Sequence, residues 1–435
     1  MKKKKKVYIG ITADILHHGH MKLLETARKY GEIIIGLLTD SAVSEYKRLP
    51  YLNYKQREQV VKNFQGVIKV MPQKEYDYSY NIKKIRPDFM VHGDDWKVGP
   101  DKLLRNNVIK ALKIYGGKLI EIPYTKGISS GAYVDSQRVI STTPDVRRSA
   151  LSRLIDSKKI VRIIETHSPL SAIIAEKTFI KSGMKKKSFD GFWSSSLTYS
   201  TVMGKPDTEA LELSQRLSYV NDIFEVTTKP LIFDADTGGK IDHFDMKIKS
   251  MDRLGISAVI IEDKTGLKKN SLFKDTSNQV QEDKNKFAEK ISVGKKAKIS
   301  NDFMIIARIE SLILGKGMKD AINRATSYVE AGADGIMIHS RKNEPDEVFS
   351  FSKEFRNNFK SIPLICVPTS YNIVNEDQLA ENGFNIVIYA NQLFRAAYPA
   401  MVKTANSILK HGRSKEIDDD LISIKEILEL IPGTK

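Results

Sequence analysis

Short, continuous apolar runs separated by helical patterns fill the first third of the chain. VYIGIT (7–12) predicts a strand, HMKLLETARKYG (20–31) a helix closed by glycine, and EIIIGLLTD (32–40) a second buried strand. YKQREQVVKNFQ (54–65) predicts another helix, and VIKVMP (67–72), DFMVHG (88–93) and KLIEIPY (118–124) predict further strands. Strands that alternate with helices imply a parallel, doubly wound sheet, which takes its ligands at the carboxyl ends of its strands. The polar, proline-containing segment STTPDVRRSALSR (141–153) breaks this rhythm and divides the chain into domains 1–140 and 141–435.

A longer series follows. Its eight apolar runs are IVRIIETHS (160–168), FDGFWSSS (189–196), PLIFDADTG (230–238), AVIIEDKT (258–265), FMIIARIES (303–311), GIMIHSR (335–341), PLICVPT (363–369) and NIVIYANQ (385–392), with helical segments between most of them. That arithmetic predicts a (β/α)8 TIM barrel. The fold class is therefore α/β, with a doubly wound, Rossmann-like N-terminal domain before the barrel. Ser195, Asp234, Asp236, Glu262, Arg308, His339 and Asn391 fall at the C-terminal ends of the runs, the catalytic face of such a barrel.

The 435 residues are 41% hydrophobic and 28% charged, a globular composition that excludes a disordered chain. A net charge of +17 raises nucleic-acid binding as a possibility, but the excess is a run at Lys2 to Lys6 plus dispersed pairs such as Lys268 and Lys269. No arginine and aromatic stripe accompanies it, so the pattern reads as solvated basic surface, with no nucleic-acid partner. Cys366 is the single cysteine, which excludes an intramolecular disulfide and a cysteine zinc site and suits the cytoplasm; in PLICVPT it reads as a core residue. No apolar run approaches the roughly 18 residues of a membrane span, and the segment after the lysine run is too short for a signal peptide.

In ITADILHHGHMKLLETA (11–27), a strand, a loop and then HHGH at a helix start place His17 and His20 near amides that favour phosphate. A metal or a solvated histidine pair would also fit two imidazoles so spaced, although no suitable third ligand follows. The string resembles the HxGH signature of the nucleotidyltransferase superfamily. EYKR then supplies Lys47, REQVV supplies Arg57 and Glu58, HGDDW (92–96) resembles the G-D-D-W of glycerol-phosphate cytidylyltransferases, and TKGISSG (125–131) resembles their T-x-G-I-S segment. The resemblance implies that His17, His20 and Lys47 meet a triphosphate as pyrophosphate leaves, that CTP is the cosubstrate with magnesium, and that Asp94, Gly127, Ile128, Ser129 and Ser130 help to bind it. Tyr124 stands where those enzymes carry arginine.

DADTGG (234–239) sets two carboxylates at i and i+2 on one side of a strand, and Glu262 ends the next. Together these suit one hard cation, through direct and water-mediated contacts, and Arg308 and His339 suit an anionic substrate. From about Arg148 onward the chain resembles phosphoenolpyruvate mutase of the isocitrate lyase superfamily. EDKTGLKKNS (262–271) matches the mutase E-D-K-x-x-x-K-x-N-S string, and FWSSSL, with Trp193, matches W-G-S-G-L with serines in place of the glycines. VMGKPDTE, ARIE and MIHSRK match further segments, while the lyase string K-K-C-G-H is absent. The resemblance implies conversion of phosphoenolpyruvate to phosphonopyruvate. Arg308, His339, Ser195 and Asn270 would clamp the substrate, Asp236, Asp234 and Glu262 would hold magnesium, Lys264 to Asn270 with Gly266 would form a lid, and Asp207 would order the site.

The order of the halves resembles the fused mutase and cytidylyltransferase of fosfomycin-type phosphonate biosynthesis. It implies phosphoenolpyruvate, CTP and a phosphonate, 2-hydroxyethylphosphonate or 2-aminoethylphosphonate, as the small-molecule partners, and a dimer or tetramer built through the barrel. The competing expectation is a phosphonopyruvate hydrolase or carbon–carbon lyase barrel beside a nucleotidyltransferase of other acceptor specificity.

Overall fold

A computed structural model describes residues 4–99, 101–123, 143–183, 185–266, 268–271 and 279–431. The N-terminal strands β1 (Lys6–Ile11), β2 (Glu32–Leu38), β3 (Val67–Gln73), β4 (Phe89–Gly93) and β5 (Lys118–Ile122) form one parallel sheet of order β3-β2-β1-β4-β5. Alternation divides β1 between two cores. Val7, Ile9 and Ile11 join one apolar cluster and Tyr8 joins the other, so both faces are covered and the strand reads as an unbroken apolar run. A Cβ on Gly36 would stand 1.7 Å from the Tyr8 hydroxyl, so only glycine admits that ring beside β2. Helices α1 (His18–Tyr30), α2 (Asp40–Ser44), α3 (Tyr54–Lys62), α4 (Ser79–Ile85) and α5 (Lys102–Lys113) connect the strands.

Helix α6 (Pro144–Ser157) opens the second half. After it, each of the eight apolar runs contains one barrel strand: β6 (Val161–Glu165), β9 (Gly191–Ser194), β10 (Leu231–Asp234), β11 (Ala258–Glu262), β14 (Met304–Ile309), β15 (Gly335–Ile338), β16 (Leu364–Cys366) and β17 (Ile386–Tyr389). They close in the order β10-β11-β14-β15-β16-β17-β6-β9. Ile163, Trp193, Ile232, Ile260, Ile306 and Ile388 fill the barrel, and Leu151 and Leu154 of α6 pack against that interior cluster. Cys366 sits buried in the apolar layer outside the strands, where burial pushes its thiol pKa up.

Two pairs of short strands escape the apolar pattern. The hairpin β7 (Phe179–Ser182) and β8 (Lys185–Ser188) carries the KKK run, and β12 (Lys264–Thr265) pairs antiparallel with β13 (Val280–Gln281) above the barrel mouth. The first pair is largely exposed and the strands of the second are two residues each, so neither presents an apolar face that marks it in the sequence. Among the described residues, no helix is long and apolar enough to cross a membrane.

Candidate active sites

The first site lies where β1 turns into α1. His17 is the N-cap of α1: its Nδ1 accepts from Gly19 N at 3.2 Å, and the backbone N of His17 donates to His20 Nδ1 at 3.3 Å. This reciprocal cap leaves two imidazoles 4.0 Å apart at the positive end of the helix. Burial, reinforced by the neighbouring imidazole, lowers the His20 pKa to about 4, and burial also lowers that of His17. Lys47 reaches the same cavity from beyond α2, and desolvation there lowers its ammonium pKa.

The cavity measures about 240 Å³ and is walled by Asp14, Tyr76, Tyr78, His92, Asp95 and Trp96 besides the two histidines and Lys47. His92 stacks on the buried Trp96 with ring centroids 3.7 Å apart. Asp94 does not line this cavity. It lies 3.6 Å from Lys97, and its neighbour Asp95 takes the wall position because burial of Trp96 sets the rotation of the turn. Arg57, fully buried, supports the site from behind by donating to Thr12 O at 2.5 Å and Asp40 Oδ1 at 2.6 Å. Glu58 points away and pairs with Lys62 at 3.2 Å. Tyr124, Gly127, Ile128, Ser129 and Ser130 lie outside the described residues.

The second site is the C-terminal mouth of the barrel. Trp193, Ser195, Asp207, Asp234, Glu262, Asn270, Arg308, His339 and Asn391 line one cavity of about 60 Å³. Ser195 is also the N-cap of α8 (Ser196–Val202), its side chain accepting from Thr198 N at 3.3 Å. Arg308 is held from several sides: Nε donates to Glu310 at 2.6 Å, Nη2 donates to Ser271 Oγ at 2.7 Å, and Nη1 lies 3.3 Å from Glu262. Arg308 Nη2 also stands 3.0 Å from His339 Nδ1. Arginine only donates, so this contact leaves the His339 proton on Nε2. Burial, then the charge of Arg308, lowers the His339 pKa, and the ring is neutral. Burial alone would raise the Glu310 carboxyl, yet Arg308 holds it well below the usual carboxylate range.

Lys268 corrects the reading of its lysine pair as solvated surface. It is buried, and its ammonium donates to Ser196 Oγ at 2.6 Å, Asp207 Oδ1 at 2.7 Å and Asp236 Oδ1. Asn270 Nδ2 donates to the other Asp207 oxygen at 3.2 Å, so the segment folds across the mouth. Lys264 is not in the cavity wall. Its ammonium bonds Lys269 O and Ser271 Oγ, each at 2.9 Å, and lies 3.3 Å from Glu262, which ties down the base of the segment.

Asp236 stands just behind the wall, bonded to Lys268 and, at 3.1 Å, to Arg216. Its φ of 55° is left-handed, a conformation that aspartate tolerates better than most side chains. Among the described residues, no three His, Cys, Asp or Glu groups converge closely enough to hold a metal by protein ligands alone. The oxygens present do suit a hydrated magnesium ion. Asp234 and Glu262 both line the cavity, and Glu262 Oε1, which makes no hydrogen bond, lies 3.3 Å from the Lys264 ammonium. Sequence reasoning missed Arg216, Glu310 and the role of Lys268. The last two lie inside the ARIE and EDKTGLKKNS strings, whereas Arg216 sits on α9 (Leu213–Phe224), far from any motif.

Residues 151–409 match the family described as phosphoenolpyruvate phosphomutase, and residues 8–136 match the cytidylyltransferase-like family. The chain is 34% identical over 285 residues to phosphoenolpyruvate phosphomutase of Tetrahymena pyriformis, covering 65% of this chain and 91% of the relative. It is 35% identical over 286 residues to phosphonopyruvate hydrolase of a Variovorax species, covering 65% and 94%. Among solved structures, phosphoenolpyruvate phosphomutase from Streptomyces platensis subsp. rosaceus is similar with a TM-score of 0.60 at 32% identity, covering 66% of this chain and 95% of that one. Phosphonopyruvate hydrolase in complex with oxalate and Mg++ is similar with a TM-score of 0.58 at 34% identity, covering 66% and 95%.

Proposed function

The chain belongs to the phosphoenolpyruvate phosphomutase family, and from that premise we propose that its barrel moves the phosphoryl group of phosphoenolpyruvate from oxygen to carbon. We propose further that domain 1–140 transfers CMP from CTP to a phosphonate, 2-hydroxyethylphosphonate first among candidates, and that domain 141–435 is the mutase of a fosfomycin-type pathway. The observation that carries the mutase reading is the closed mouth: an arginine, a neutral histidine, a serine and a lid asparagine line one small cavity that also holds two carboxylates.

In the barrel reaction the bond between phosphorus and the enol oxygen breaks, a carbon–phosphorus bond forms at the methylene carbon, and the enol oxygen becomes a ketone. A loose transition state of this kind needs charge stabilisation and exclusion of water. Arg308, with Ser195 and the Nε2–H of His339, holds the phosphoryl and carboxylate oxygens. Asn270 and Lys268 close the lid against Asp207. Asp234, Asp236 and Glu262 would hold a hydrated magnesium ion, which would supply charge neutralisation for the enolate.

In the first site a phosphonate oxygen attacks the α-phosphorus of CTP and pyrophosphate departs. His17, His20 and Lys47 donate to the phosphates at the positive end of α1. A magnesium ion bound with the triphosphate would add charge neutralisation there. The lone buried thiol of Cys366 suits a reducing, cytoplasmic setting. Helix α15 (Gln392–His411), which follows the last barrel strand, has no fully buried residue and exposes Tyr398, Met401 and Leu409, which supports a homo-oligomer formed through the last helices.

The relative that hydrolyses phosphonopyruvate supplies the rival reading. Incubation of the full chain with phosphonopyruvate and magnesium, followed by phosphorus NMR, separates the two. The mutase yields phosphoenolpyruvate, and free phosphate in its place sinks the mutase reading. A screen of CTP and ATP against the two phosphonates, read by pyrophosphate release, tests the first domain.

A further inference from the structure

The segment that carries Lys47 belongs to the first domain but is held by the second. Leu49 packs against the apolar cluster inside the barrel. Arg153, on α6, donates from Nη2 to Pro50 O at 2.7 Å and from Nη1 to Tyr51 O at 3.1 Å, and its Nη2 lies 3.7 Å from Asp40. A planar guanidinium meeting two successive carbonyls fixes the direction of the backbone there, which a lysine ammonium does not reproduce.

The hold passes to the histidines in two short chains of contacts. Tyr51 N donates to Asp14 Oδ1 at 2.7 Å, and Arg48 Nη2 donates to Asp14 Oδ2 at 2.8 Å. Asp14 lies on the loop that leads into His17. Asp40, the other contact of Arg153, accepts from Arg57, which in turn donates to Thr12 O. Thr12 and Asp14, in the first half of the loop between β1 and α1, are thus linked through these contacts to Arg153 of the second domain.

We propose that Arg153 is a positioning residue for nucleotidyl transfer: it fixes Lys47 and, through Asp14 and Asp40, the loop before His17. The first domain therefore depends on the barrel for the geometry of its own site. This inference rests on the nucleotidyltransferase reading of that site. Misplacing catalytic groups by about 1 Å costs on the order of 100-fold in rate. A loop released from one side loses that geometry more than it loses ground-state affinity.

The test uses full-length protein with magnesium, CTP and 2-hydroxyethylphosphonate or 2-aminoethylphosphonate, and follows pyrophosphate release beside mutase activity on the same samples. In Arg153→Ala, kcat for pyrophosphate release falls by roughly 10- to 100-fold while the KM for CTP moves by less than about threefold. Arg153→Lys, which reaches one carbonyl, recovers part of the loss, and mutase activity stays at the wild-type level in both. If the alanine variant fails to fold, the lysine variant carries the test by the same split between the two activities. Wild-type kcat in a folded variant, a rise in KM alone, or a parallel fall of both activities overturns the inference. Wild-type protein that releases no pyrophosphate with either phosphonate overturns the nucleotidyltransferase reading itself, and the role of Arg153 with it.

Discussion

The ammonium of Lys268 lies 2.7 Å from Asp207 Oδ1, and Asn270 occupies the other oxygen of the same carboxylate at 3.2 Å. One aspartate thus receives two residues of the segment that crosses the mouth, each through its own oxygen. Lys268 also stands against Asp236 and Ser196, so its removal unlatches the lid and leaves a buried carboxylate with Arg216 as its remaining cation. Lys268→Ala should lower the conversion of phosphonopyruvate to phosphoenolpyruvate by about 100-fold or more, as expected when a charge-stabilising donor is lost. Phosphorus NMR time courses check this, and a variant within about threefold of wild type would remove the latch from the mechanism.

The Arg308–Glu310 pair makes a stability prediction. Both groups are deeply buried, the contact is 2.6 Å, and the paired Glu310 carboxyl is held well below its ordinary 4.5. A carboxyl depressed in the folded state stabilises the fold above its unfolded pKa and loses that contribution as pH falls through the folded value. Glu310→Gln should therefore cost about 3 kcal/mol near neutral pH, the order found when one partner of a buried pair is removed. Denaturant unfolding of both proteins across acid pH should show the difference shrinking below the ordinary carboxylate value. A constant difference would mean that lost packing, not charge, is the cause.

How much of this was legible in the sequence follows from burial. Strands such as β2 and β11 are covered on both faces, so their apolar runs stand out, and HHGH announces the start of α1 because a capping side chain must sit beside the helix it caps. Lys268 escaped because lysine ordinarily marks water, and its partners Ser196, Asp207 and Asp236 come from remote parts of the chain. Arg216 escaped for the same reason, being part of a helix whose polar residues look like an exposed face. Between Asp94 and Asp95, the burial of Trp96 selects which carboxylate lines the cavity, and no local pattern carries that choice.

The first site makes a prediction about protons. Burial lowers the His20 pKa to about 4, so the free protein presents neutral imidazoles at pH 7. Both Nδ1 atoms already accept backbone N–H groups, so each neutral ring carries its proton on Nε2 and can donate it to a phosphate without becoming charged. CTP binding near neutral pH should therefore proceed without proton uptake by these rings, and His17→Ala and His20→Ala should each weaken it while leaving the number of protons exchanged unchanged. Calorimetric titrations in buffers of different ionisation enthalpy count those protons. Uptake in wild type that disappears in either variant would mean that the cap opens and an imidazolium forms.

Asp236 allows the two activities to be separated by a change confined to the barrel mouth. Its backbone is left-handed at φ 55°, so Asp236→Ala adds backbone strain of about 1 kcal/mol to the loss of charge. Asparagine tolerates that conformation, and Asp236→Asn removes the charge alone. It should abolish mutase turnover and leave CTP-dependent pyrophosphate release intact, because the barrel mouth lies at the opposite end of the strands from α6 and Arg153. His20→Ala should do the reverse, since none of the described residues that line its cavity belongs to the barrel. Assaying both reactions on each variant, with thermal unfolding as the control, decides the matter. If Asp236→Asn silenced pyrophosphate release while still folded, the mouth of the barrel would have to act on the first domain through contacts other than those of Arg153.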